Sequence, residues 1–367
     1  MSNPTPRIAI VGAGLGGLLC AVVLRRHGIR ATVFERDAGA GHRGQGGSLD
    51  LHEDTGQAAL RTAGVYDAFL DLSRPEGQEM REYDHAGTLI SHEDGTGEPA
   101  RPEIDRAVLR DLLLDGLGAD GVRWGTPVRR VGLVPDGRAR LVLGDGAVED
   151  YDLVVGADGA WSRVRAVVSG AVPFYTGSTL VETWFTDVDR RYPVLAGMVG
   201  NGMMLATEAS DPTRLLIGQR GGDGSVRVWI GLRCPLDWAE RAGVDLADTE
   251  AVRVHFLAVF AGWHEDLLRV LRESEGPFVS RPVYRLPCPH TWQHTAGVTL
   301  LGDAAHLMPP AGQGANLALI DAADLATAVA GAVAEGSGLD AAVRGYERVM
   351  HPRGAAAAEE SVRALEQ

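Results

Sequence analysis

Gly302-Asp303-Ala304-Ala305-His306-Leu307-Met308-Pro309-Pro310-Ala311-Gly312-Gln313-Gly314-Ala315-Asn316 is the stretch whose reading decides the fold. It follows a buried-looking strand, Gly297 to Leu301. An Ala/Leu-rich run with helical spacing, Asn316 to Val333, comes after it. Asp303 thus sits at the tip of a strand, and Gly312-Gln313-Gly314 opens a helix. A carboxylate at a strand tip can accept hydroxyl hydrogen bonds, and the positive end of a helix stabilises negative charge. The pattern suits a ligand with a polyhydroxylated chain and a ring that becomes anionic.

The N-terminal sequence extends that reading. Arg7 to Val11 reads as a short buried strand, running into Gly12-Ala13-Gly14-Leu15-Gly16-Gly17 and then a helix from Leu18 to His27. A second strand, Ala31 to Phe34, ends in Glu35, about 20 residues beyond the glycines. In such a turn the glycines permit a tight bend, close approach of backbone to a pyrophosphate, and close helix–strand packing. Glu35 is then suited to the hydroxyls of an adenosine ribose; its plainer reading is an ordinary surface acid. A flavin dinucleotide carries all the parts that these two segments suit.

Between them lie further candidates. Arg43 and Asp50 fall in the glycine-dense run Arg43-Gly44-Gln45-Gly46-Gly47-Ser48-Leu49-Asp50. Thr55 to Ala63 predicts a helix capped by Thr55 or Asp54. Residues 74–102 are polar, Gly/Pro-rich and acidic, as expected of a hairpin excursion with a solvated face. Arg106 lies in the first turn of a helix, Ala107 to Leu117, where a cation calls for an anion or full solvation. After a β-meander over 122–146, Asp158-Gly159 follows another strand. Asp158 reads equally well as a helix cap, and Arg165 as a surface residue. From 172 to 279 strand-like alternation dominates. Val226, Val228, Ile230 and Leu232 share one face, with Ser225, Arg227 and Trp229 on the other. That second face fits a pocket or solvent. One helix is predicted from Thr249 to Leu271, and a terminal helix from Gly354 to Gln367.

Composition narrows the field. The chain has 367 residues, 35 basic (all arginine) against 49 acidic, and a formal net charge of −14, which disfavours nucleic acid as a partner. Cys20, Cys234 and Cys288 are odd in number and widely spaced, arguing against a disulfide framework and a zinc site. No apolar run approaches the roughly 20 residues of a membrane helix, and no signal peptide is read. A soluble, cytoplasmic, monomeric protein without a metal is expected.

Taken together, Gly12 to Gly17, then Asp158-Gly159 with Ser162 and Arg165, then Gly302-Asp303 resemble the three fingerprints of the class A single-component flavoprotein aromatic hydroxylases, the para-hydroxybenzoate hydroxylase type. Gly46 to His52 and Gly302 to Pro310 look closest to the tetracycline-inactivating flavin monooxygenases. The resemblance implies an α/β fold: a Rossmann-like FAD-binding domain of the glutathione reductase type (1–73, 101–171 and 277–353), an inserted, mostly antiparallel β-sheet substrate domain (74–100 and 172–276), and a C-terminal bridging helix (354–367). It implies FAD held by Gly12, Ala13, Gly14 and Gly17 at the pyrophosphate, and by Glu35 with Arg36 at the adenosine ribose. Arg106, Asp50, Asp158, Gly302 and Asp303 would serve the rest of the flavin nucleotide. Pro310, Gly312, Gln313, Gly314, Ala315 and Asn316 would bring a helix end to the ring, and Arg43 would serve NADPH or NADH. The implied activity is O2-dependent hydroxylation of an aromatic or polycyclic, polyketide-like or tetracycline-like molecule through a flavin C4a-hydroperoxide. Glu182, Met203, Arg227 and Pro309 are the expected substrate residues, and no side chain is assigned general acid–base or nucleophilic work. His306 reads as structural. A flavin reductase, a halogenase and an FAD-containing sequestering protein are the alternatives.

Overall fold

The structure, a computed structural model, describes residues 5–42, 46–96, 100–118, 120–211 and 213–366. Ile8–Val11 sits in the middle of a five-stranded sheet, parallel to Leu153–Gly156 on one side and Ala31–Phe34 on the other. Val298–Leu300 and Val122–Arg123 complete its two edges, also in parallel. The central strands are buried along their whole length, as strands covered on both faces must be. The helices Leu15–Arg26 and Gly314–Glu335 pack against each other. They do so closely because residue 16 is glycine: a Cβ there would sit 2.8 Å from the Ala318 carbonyl oxygen.

A seven-stranded sheet forms the second layer, in the order 279–285, 174–185, 226–233, 215–220, 203–207, 80–84, 89–93. All its neighbours are antiparallel except Met203–Thr207 beside Met80–Asp84. It has its own hydrophobic core, built on Val181, Met204, Val226, Val228 and Ile230 with Phe256 and Leu267 from the helices behind. A separate core fills the parallel-sheet half. A three-stranded meander, 128–133, 139–143 and 148–151, completes that half.

Several expectations are corrected. The first helix begins at Leu15, inside the glycine motif. The helix expected from 55 begins as a π-turn at Glu53 after His52, with no side-chain cap. The helix expected over 249–271 is two, Thr249–Val259 and Glu265–Arg272. Gly262, at φ +92°, breaks it, a backbone conformation unavailable to a continuing helix. The terminal helix starts at Leu339, not Gly354, and runs through Pro352 to Glu366. It reaches both layers, bonding Gln313 through Glu360 and Arg233 through the Leu365 carbonyl. Gly314–Glu335 is long and apolar enough, by length and composition, to cross a membrane, although more than half of it is packed inside the molecule. The three cysteines are free, and among the described residues no cluster could hold a metal ion.

Candidate FAD site

Besides Gly16 at the helix contact, two more of the motif glycines are dictated by collisions. A Cβ on Gly12, which has φ +107°, would run into the Ala157 carbonyl oxygen, and one on Gly17 would run into that of Gly12. Gly14 differs: at φ −77° nothing lies within 4 Å of where its Cβ would be. That open cradle at the start of the Leu15–Arg26 helix, whose first N–H groups have no partner within the helix, is what a pyrophosphate needs. Glu35, at the end of its strand, is buried and accepts from Ala13 N–H at 2.8 Å and Asp37 N–H at 3.0 Å. Its carboxylate therefore also braces the glycine turn. Arg36 is exposed.

A residue that sequence reasoning missed stands behind the turn. Arg110 is 4% exposed and donates to the carbonyls of Ala13 at 3.2 Å and Ala40 at 2.7 Å. It thus carries a buried positive charge between the glycine turn and the 37–42 loop. Its signal was an arginine one turn after Arg106, on the apolar face marked by Leu109 and Leu113.

At the other end of the site, Asp50 lies on the strand Ser48–Asp50, paired with Glu103–Asp105. Its carboxylate contacts His52 Nε2 at 2.9 Å and faces the Gly312 turn, where a Cβ on Gly312 would come within 3.9 Å of Asp50 Oδ1. Asn316 makes that junction. Its side-chain oxygen accepts from the N–H groups of His52 (2.9 Å) and Gly56 (3.2 Å), and its amide donates to the Asp50 carbonyl at 2.9 Å. Its side chain is therefore a structural tie, leaving only its backbone for a ligand. Gln313 is likewise turned away, onto Glu360 at 2.8 Å. Gly314, Ala315 and Asn316 begin the Gly314–Glu335 helix, whose first N–H groups lack intrahelical partners. Pro309 is buried, while Pro310 and Gly312 are exposed.

Asp303 is exposed and Gly302, with φ +57°, turns the chain into its short helix. Arg106 is desolvated, which lowers its pKa, and the nearby Asp303 charge opposes that shift. Among the described residues its guanidinium has no hydrogen bond or ion pair, so an anion or dipole beside it would be stabilised. Asp158 spends its carboxylate inside its own loop, accepting from the Ser162 hydroxyl at 2.5 Å and Arg163 N–H at 2.6 Å. Burial raises its pKa all the same. Arg165 is 3% exposed rather than at the surface, with its guanidinium on the Ala304 carbonyl at 3.0 Å and the Ala160 carbonyl at 2.6 Å. His306 is buried on Asp321 at 2.6 Å, in line with its structural reading. Arg43 lies outside the described residues.

The cross-strand register settles where Glu182, Met203 and Arg227 belong. Trp184, Arg227, Gln219 and Met203 form one row across the large sheet; Glu182, Trp229, Ile217 and Leu205 form the next. Of these only Glu182 is fully buried; the other seven are half-buried, and the opposite face is core. The face is not open to solvent throughout. Ser48 is clamped to it, N–H to Gln219 Oε1 at 3.0 Å, and Gly46 packs on the Arg227 guanidinium. Arg227 is not a free cation, however. It is ion-paired with Glu182, whose other oxygen accepts from Arg281 at 2.9 Å. One buried acid thus stands between two arginines, leaving a local charge of +1.

The FAD binding domain family matches this chain over residues 5–210 and 290–361. The chain is 32% identical to the monooxygenase asqM of Emericella nidulans, covering 87% of this chain and 83% of that protein. It is 31% identical to the monooxygenase penA of Penicillium thymicola (95% and 91%) and to the 3-amino-4-hydroxybenzoate 2-monooxygenase of Streptomyces cremeus (95% and 84%). Among solved structures, Klebsiella pneumoniae HpxO complexed with FAD and uric acid superposes with a TM-score of 0.80 at 23% identity, covering 98% of this chain and 88% of that one. The tetracycline destructase Tet(51) reaches 0.71 at 21% identity (98% and 90%). The chain belongs to the class A flavoprotein monooxygenases: it is an FAD-dependent monooxygenase.

Proposed function

We propose that this enzyme uses NADPH or NADH and O2 to hydroxylate an aromatic or polycyclic, polyketide-type small molecule. One observation carries the reading. The half-buried sheet face bearing Trp229, Ile217, Leu205 and Met203 is held against the Gly46–Asp50 segment, and Asp50 reaches the Gly312–Gly314 turn. An apolar, aromatic wall beside the flavin end of the site suits a flat ring system. The names of the monooxygenase relatives, one acting on 3-amino-4-hydroxybenzoate, agree with it.

In this reading Gly12, Gly14 and Gly17 with Ala13 hold the pyrophosphate, Glu35 and Arg36 the adenosine ribose, and Asp303 with Arg106 the ribityl and phosphate end. FAD, when bound, supplies hydride acceptance and oxygen activation. The chain's own work is to orient and to exclude water. The first turn of Gly314–Glu335 favours negative charge beside it. Glu182 holds Arg227 in place, and together with Arg281 the three groups leave one surplus positive charge on that face. Arg43 is assigned to use of the nicotinamide cofactor. With Arg227 already paired, tetracyclines are expected to be poor substrates.

The test is NAD(P)H consumption by purified protein against a panel of phenols, hydroxybenzoates, polyketides and tetracyclines, with product mass followed for a gain of one oxygen atom. Ligand-independent consumption yielding only hydrogen peroxide across the panel would sink the substrate class. Asp303→Ala is expected to weaken FAD by about 1.5–3 kcal/mol, the range for a charge-assisted hydrogen bond. Unchanged flavin content would remove Asp303 from the site.

A further inference from the structure

We propose that Arg353, on the C-terminal helix, is a positioning residue for the FAD site, setting the placement of Asp303 through the buried Asp321. The proposal rests on the assignment of Asp303 to FAD made above. Within the turn 302–306, Asp303 is the one exposed residue. The other handles of that turn are taken by groups from elsewhere in the chain. Arg165 donates to the carbonyls of Asp303 (3.4 Å) and Ala304 (3.0 Å), and His290 Nδ1 contacts that of Ala305. Asp321 holds both ends at once. Its Oδ2 accepts from the Gly302 N–H at 3.1 Å and lies 2.6 Å from His306 Nε2.

Asp321 is 0% exposed, so its orientation depends on its partners rather than on water. Its second oxygen accepts from Arg353 Nη2 at 2.8 Å, while Arg353 Nη1 holds Asp324 at the same distance. Arg353 therefore ties one carboxylate oxygen down and leaves the other aimed at Gly302 and His306. The neighbouring residue reinforces this: a Cβ on Gly354 would lie 3.0 Å from His306 Cδ2, so the C-terminal helix also rests on the far end of the turn. Gly302 has φ +57°, and the direction of its N–H sets the path by which the chain enters Asp303. Hydrogen bonds weaken steeply with misalignment, so a small rotation of Asp321 would be felt at the Asp303 carboxylate. No contact between Arg353 and FAD is needed.

The test is a double-mutant cycle on FAD affinity, measured by flavin fluorescence on apoprotein reconstituted from the full chain. Arg353 is 24% exposed, so Arg353→Gln is expected to fold. It should raise the Kd for FAD about tenfold in the wild-type background and less than about twofold in an Asp303→Asn background, as coupled sites do. Arg353→Lys should recover part of the loss. Gly354→Ala, which presses on His306 directly, should give the same background dependence and serves as the second variant if Arg353→Gln does not fold. Equal weakening in both backgrounds would show a general structural role and overturn the proposal, as would no weakening at all. If Asp303→Asn itself leaves the Kd unchanged, the assignment of Asp303 has failed, and the coupling falls with it.

Discussion

The glycine turn and the substrate-facing sheet fix their residues by different physics. In the turn, Gly12 and Gly17 are held by backbone: a side chain there meets the carbonyl oxygen of Ala157 or of Gly12. On the sheet, Glu182, Arg227 and Arg281 are held by one another, through charge and cross-strand register. A constraint set by backbone admits one residue type. A constraint set by mutual pairing admits other sets, provided the partners change together. The cofactor half is therefore rigid in sequence, and the substrate half is where related enzymes can diverge.

The largest effect should come from the turn itself. Gly12→Ala and Gly17→Ala are each expected to cost about 3 kcal/mol or more and to purify without flavin. Gly14→Ala has room for its methyl, so the apoprotein should melt within about 2 °C of wild type while FAD binds roughly tenfold more weakly through lost access to the cradle. Flavin absorbance and thermal melts of apoprotein measure both. A Gly14→Ala apoprotein as unstable as Gly17→Ala would erase the distinction between packing and ligand-facing glycines.

An intermediate effect is expected on the sheet. Glu182→Gln removes the acid between two arginines and should destabilise the protein by about 1–3 kcal/mol, less than an isolated buried pair because Arg281 is 60% exposed. Arg227→Ala should raise KM for the true substrate with FAD content unchanged. Should Arg227→Ala reduce stability and leave KM alone, the pair is a structural strut, and the sheet resembles the turn after all.

The smallest effect belongs to Glu103, at the seam between the halves. Burial, aided by the Asp50 and Asp105 charges, pushes its carboxyl up to about 7, against the Ser48 hydroxyl and Arg74, which favour its charged form. Because the folded value lies above the unfolded one, its contribution is fully present below about pH 4.5 and is lost as pH rises towards 7. The full difference would be about 3 kcal/mol, but solvent reaches this half-buried carboxyl and screens it, so Glu103→Gln should stabilise by roughly 1 kcal/mol at pH 8 and by nothing at pH 4.5, read as a pH series of melting temperatures. Equal stabilisation at both ends would show that the carboxyl does not titrate in this window.

What could be read from the sequence follows the same division. The glycines, the strands around them and the Gly302-Asp303 turn were legible because each constraint is tied to one residue type, whatever segment imposes it. The partners of Glu182 and Arg227 were not, since only the sheet register brings residues 182, 227 and 281 together. Arg110 and Asp321 escaped for a related reason: each is a charge on an apolar helix face, and what it holds lies far away in the chain. Such an acid in the Ala/Leu run 316–333 was itself a usable signal. The terminal helix begins 15 residues before the expected Gly354 and continues through Pro352, a residue that disfavours a helix interior, so local sequence did not mark its start.

The order of strands in the parallel sheet has a consequence for how the enzyme is made. Ile8–Val11 is made long before its partner Leu153–Gly156, which follows well over a hundred residues later, and Val298–Leu300 comes later still. The Asn316 junction and the Asp321 support come after that, and Arg353 later again. The nascent chain therefore has a glycine turn with no completed sheet beneath it until Val298–Leu300 has been made. By then every strand of the antiparallel sheet, which ends with residues 279–285, has already been made, so that sheet is free to form ahead of the parallel one.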